Sequence, residues 1–191
     1  MKQFNEIRVA VVAAVLILGF VSCSKDNDNP NPNPMENKVL KSADQIFNVE
    51  VSDDWREIAS IVVEVTTLDG ETTSQSPFLY DKKFGDNKGW NKENAEPKEK
   101  FTIKIKPTVK DGFTPEPGRT YHLNIAVYMS LNFYNAKKEV LAAGEIKNPI
   151  AKYELDADAD FKGLCEFISD WDLGFKILKG NDGTYNVQPM I

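Results

Sequence analysis

A chain of 191 residues with 41% hydrophobic and 27% charged residues has the size and balance of one globular domain, which excludes a wholly disordered or membrane-embedded body. Its formal net charge of -6 makes phosphate backbones and anionic lipid heads poor partners, so nucleic acid is not expected to bind. The two cysteines, Cys23 and Cys165, are too few for a cysteine-rich zinc site.

The chain begins with Lys2 and Arg8 around a polar start, and an apolar run over 9–21 follows, broken by Gly19. That run is shorter than the about 20 apolar residues a spanning helix needs, and Asn, Asp and Pro come after it, so it reads as a removable export signal. Phe20, Val21 and Ser22 stand directly before Cys23, a stretch that resembles a bacterial lipobox with Phe20 in the place usually held by Leu. The resemblance implies that the Cys23 thiol carries diacylglycerol and that the chain is cut in front of it. Cleavage removes Lys2, Arg8 and Glu6, two positive charges and one negative, so -6 becomes -7. Ser24, Lys25, Asp26, Asn27 and Asp28 are similar to the short Lys/acidic export tag of Bacteroidota surface lipoproteins, with Asn27 interrupting the acidic pair. This implies an outer-membrane lipid anchor facing the cell exterior, with a periplasm-facing lipoprotein as the alternative. Alternating Asn and Pro over 29–34 makes a stiff, extended spacer. The expected organisation is a signal peptide over 1–22, lipidated Cys23 and a spacer over 23–37, and a folded domain over 38–191.

Within that domain the strongest local signal is period-two alternation of β-branched and aromatic residues between Gly, Pro, Asn and Asp. It predicts eight strands, over 46–51, 60–67, 78–82, 101–106, 121–132, 139–146, 174–178 and 185–188. In the fourth, Phe101, Ile103 and Ile105 alternate with Thr102, Lys104 and Lys106, as in a strand with one face in a core and one in water. Pro115, Pro117 and Gly118 keep the next connection irregular, and 135–138 reads as a hairpin turn. Asp160 is placed to cap a helix over 160–169 whose apolar face is Phe161, Leu164, Cys165 and Ile168. The Pro117-Gly118 turn before a Tyr-rich strand resembles Ig-like and fimbrillin-like modules of Bacteroidota surface proteins. The expected fold is mainly β, a single antiparallel Ig-like sandwich of about seven to nine strands with one short helix.

No nucleophile motif accompanies His122, the sole histidine, which alternates with the apolar face of its strand, and Cys165 reads as a buried, inert thiol. Asp156, Asp158 and Asp160 alternate as in the start of a calcium loop, but Phe161 and Phe167 occupy the places that need Gly and Glu. A Ca²⁺ site there competes with a solvated acidic loop, and no other cofactor is expected. The better candidate is Trp90 in the polar stretch 84–94, read as a loop. Its ring offers a flat apolar face for a sugar, with Asp86, Asn87 and Asn91 supplying hydrogen bonds; the competing reading folds Trp90 back over a sheet edge. The expectation is a non-enzymatic, membrane-anchored binding or accessory module with a glycan or surface-protein partner. Its alternatives are a structural, pilus-like assembly subunit whose C-terminal 184–191 is a donated strand, and a small hydrolase.

Overall fold

The computed structural model describes residues 38–79, 82–91, 96–147 and 151–190; the signal segment, Cys23 and the spacer lie outside them. Among the described residues are ten strands and two short α-helices. In chain order these are β1 (Ser42–Val51), α1 (Asp53–Ile58), β2 (Ala59–Thr66), β3 (Thr72–Gln75), β4 (Lys83–Asn91), β5 (Lys100–Val109), β6 (Thr120–Tyr134), β7 (Val140–Lys147), β8 (Ala151–Asp156), α2 (Phe161–Ser169), β9 (Leu173–Lys179) and β10 (Tyr185–Met190). They form two antiparallel sheets, an arrangement consistent with a β-sandwich. The first sheet runs β4-β1-β6-β7 with β8 also paired to β6; the second runs β10-β9-β5-β2-β3.

The alternating segments are strands because each buries one side. Phe47, Val49 and Val51 of β1, Leu123 to Phe133 at odd positions of β6, Ile61 to Val65 of β2 and Phe101 to Ile105 of β5 all enter one contiguous core. At fifteen residues β6 is long enough to pair along one edge with β1, and along the other with β8 over its first part and β7 over its second. On the far side of the core β7 meets the second sheet so closely that a Cβ on Gly144 would sit 2.6 Å from Val187 Cγ1 and 2.7 Å from Phe175 Cε1.

β9 pairs with β5 only over 100–103, which leaves the rest of that edge of β5 open. Helix α2 packs there, with Phe161, Cys165 and Ile168 buried and its first turn capped by Asp160, whose Oδ1 accepts from the Gly163 N–H at 2.8 Å. The hairpin turn between β6 and β7 is held by Asn135, whose Oδ1 accepts from the N–H groups of Lys137 and Glu139, both at 2.9 Å.

Four segments depart from expectation. The described part of the strand expected over 78–82 is a turn of 3-10 helix, Pro77–Leu79, and the strand comes later as β4. β3 and β8 are additional strands, and α1 is a second helix. Its six residues carry Trp55 and Ile58 into the core, and Arg119 clasps it to the start of β6 through a two-pronged contact with Glu57 (2.8 and 2.9 Å) and a bond to Asp54 (2.9 Å).

One buried amide crosses the interior. Gln45 of β1 is 0% exposed; its Oε1 accepts from the Leu68 N–H at 2.7 Å, in the loop after β2, and its Nε2 donates to the Lys88 carbonyl of β4 at 3.5 Å. Replacing it by Leu keeps the volume and strands the Leu68 N–H in a dry environment. Gln45→Leu is expected to lower stability by about 1–3 kcal/mol, seen as a lower urea midpoint with an unchanged slope.

Candidate functional site

The stretch expected as a polar loop is edge strand β4, paired with β1 from Lys83 opposite Glu50 to Asn91 opposite Ser42. Strand parity then separates the four residues expected to bind together. Trp90 and Asp86 point to the core side, opposite Ala43 and Phe47; Asn87 and Asn91 point outward, opposite Ile46 and Ser42. Trp90 is 3% exposed, so its ring fills the core under the sheet edge and presents no stacking face to a sugar. Asp86 stays exposed beside Lys88, 3.9 Å away, and these two inward charges blunt the edge of the sheet. Trp90→Ala is expected to cost about 3–5 kcal/mol in thermal or denaturant unfolding, as removal of a core ring does.

The acidic trio likewise serves local structure. Asp156 ends β8 and accepts from the Thr120 hydroxyl at 2.8 Å, Asp160 caps α2, and Asp158 lies in the turn between them. Among the described residues no group of three His, Cys, Asp or Glu side chains is gathered to hold a metal. His122 faces outward on β6 with Nδ1 3.5 Å from Glu154 Oε1. Cys165 is buried on α2, and loss of hydration, then the charges of Asp160 and Glu166, push its thiol up to about 11. A thiol whose folded value is raised favours the folded state below its unfolded value of about 8.5 and loses that contribution as pH rises through about 11. Iodoacetamide at pH 8 is therefore expected to leave Cys165 unlabelled in the native protein and to label it in denaturant, as read by peptide mapping.

What gathers on one surface is the outward side of the first sheet. In register across it lie Gly85, Asn48, Tyr128 and Lys147; then Asn87, Ile46, Ser130 and Glu145; then Gly89, Asp44, Asn132 and Ala143; then Asn91, Ser42, Tyr134 and Val140. Asn124 lies on the same side of β6. Five asparagines and two tyrosines thus share one face from three adjacent strands. Tyr134 is tied down at one end: burial and then Asp44 raise its phenol above the usual tyrosine value, and the Lys138 ammonium stands 5.8 Å from its ring. Tyr128 and Tyr134 are six residues apart on one strand, about 20 Å. The tyrosines sat in the predicted strand over 121–132 and just beyond it; what hid the face was the reading of 84–94 as a loop, in which Asn87 and Asn91 have no neighbours across a sheet.

Two further features stand apart from this face. Phe167, 56% exposed, meets Trp171 edge-on at 5.9 Å, with the carboxylates Glu166, Asp170 and Asp172 nearest in sequence. A shallow groove of about 460 Å³ beside β9 and β10 is lined in part by Glu96, Lys179 and Tyr185; the Tyr185 hydroxyl donates to Glu96 Oε2 at 2.6 Å, and Lys179 Nζ lies 3.4 Å from the same oxygen. These polar groups are engaged with one another. No helix among the described residues is long and apolar enough to cross a membrane. Comparison with protein-family models, curated proteins and solved structures finds no match.

Proposed function

We propose that the protein is a non-enzymatic cell-surface lipoprotein, anchored through lipid on Cys23, that binds glycan on the outward face of its first sheet. The observation that carries the reading is the shared face of Asn48, Asn87, Asn91, Asn124, Asn132, Tyr128 and Tyr134. Amides donate and accept at once, which suits sugar hydroxyls, and a tyrosine ring supplies the apolar patch on which a pyranose rests. A sheet holds these groups at fixed spacing, so little ordering accompanies binding.

Kinship with Ig-like modules is supported by Tyr121. Its hydroxyl accepts from the Glu116 N–H at 2.9 Å, five residues upstream and before the Pro117-Gly118 turn, as a tyrosine corner does. The chain differs from a constant-type Ig domain, whose sheets hold four and three strands, in having two five-stranded sheets among the described residues. The likeness is therefore one of architecture. An assembly subunit is the second reading, favoured by the terminal position of β10 as an edge strand with Val187 its one buried residue; Pro189 opposite Phe175 limits the pairing it could offer a partner.

The test uses the full chain in detergent micelles on a glycan array, followed by calorimetry. Tyr128→Ala and Asn87→Ala are each expected to weaken glycan binding by about tenfold, equivalent to roughly 1.4 kcal/mol, with melting temperature little changed. Binding that ignores both substitutions, or none to any glycan, would move the assignment to protein assembly. Metabolic labelling with an alkyne fatty acid is expected to mark the wild type and not Cys23→Ala.

A further inference from the structure

The outward face of the second sheet has the opposite character. Lys100, Lys104 and Lys106 lie on one side of β5, and Lys176 of β9 stands directly opposite Lys100. The only carboxylate on that face of the five strands is Glu64, opposite Lys104 and 2.7 Å from Lys106 Nζ. The face is thus basic in a chain whose net charge is -6. Asp172, just before β9, approaches Lys100 at 3.8 Å, while Lys104 and Lys176 have no ion-pair partner among the described residues. Around the lysines are the hydroxyls of Ser60, Thr66, Thr72, Ser74 and Thr108, of which Thr66 and Thr72 bond each other at 2.9 Å.

We infer that this face binds a linear anionic polysaccharide, its carboxylates or sulfates meeting the lysines and its hydroxyls the Ser and Thr side chains. The lysines run in file along one strand for about 20 Å, with neutral β2 and β3 side chains and Glu64 on one flank. A single file matches a chain ligand; a plane of lipid headgroups would call for charge spread over several strands. No aromatic ring lies on this face of the described strands, so it lacks the stacking platforms by which single-stranded nucleic acid is held. The inference is independent of the glycan face on the first sheet, which shares none of these residues.

The full chain in micelles would be titrated with polygalacturonate, with a neutral glucan, a single-stranded oligothymidylate and phosphatidylglycerol vesicles in parallel. Polygalacturonate is expected to bind best, with affinity falling steeply as salt rises from about 50 to about 200 mM. The triple variant Lys100→Gln, Lys104→Gln, Lys106→Gln should weaken it by about tenfold, the order expected from losing three exposed ion pairs. A charge-matched triple on the first sheet, Lys83→Gln, Lys147→Gln, Lys152→Gln, should leave it unchanged. Lys104→Gln alone, at a lysine with no ion-pair partner among the described residues, gives a second reading should the triple variant melt early. Equal loss in the charge-matched triple, or tighter binding of oligothymidylate or vesicles, would overturn the inference.

Discussion

The architecture hangs on β6. Over fifteen residues β6 keeps every second side chain inside, because Tyr121, Leu123, Ile125, Val127, Met129, Leu131 and Phe133 never break step, and it pairs with β1 over 125–134, with β8 over 120–125 and with β7 over 128–134. Three other strands take their register from it, and β4 takes its register through β1. Parity is thereby inherited across the sheet: once Leu131 is inside, Gln45 must be inside and Asn87 outside. The buried Gln45 is the point where this inheritance meets the second sheet, since its amide reaches the loop at Leu68.

The two outward faces follow from the same rule, yet they carry different chemistry. Inward positions on both sheets answer to one core and are mostly apolar on either side, Gln45 and the edge pair Asp86 and Lys88 being exceptions. Outward positions answer only to what lies outside, and there the first sheet has amides and phenols while the second has ammonium groups and hydroxyls.

Strands with both an apolar and a polar side were legible from the amino-acid order alone: β1, β2, β5, β6, β7, β9 and β10 all fall where alternation places them, as do α2 and its Asp160 cap. The elements that escaped are those whose signal tertiary context overrides. β4 has Phe84 and Trp90 on its inner side but Asp86 and Lys88 between them, because an edge strand lets inward side chains reach water past the rim. β3 carries no apolar residue and owes its form to pairing with β2. α1 is too short for helical periodicity and is held by Trp55 and by Arg119, some sixty residues away in sequence. Misreading β4 also displaced the candidate site: it joined Trp90 to Asn87, which a strand sends to opposite faces.

The position of β1 has a consequence for how the chain becomes a fold during synthesis. β1 is complete at residue 51, but β6, which flanks it within the sheet, ends at residue 134. At roughly 5–20 residues per second, β1 waits on the order of ten seconds with Phe47, Val49 and Val51 bare. Its other neighbour, β4, is itself an edge strand and offers no closed core in the interval. Closure of the first sheet then waits on β6, and any machinery that handles the nascent protein before that meets β1 as an apolar-patterned strand without its partner.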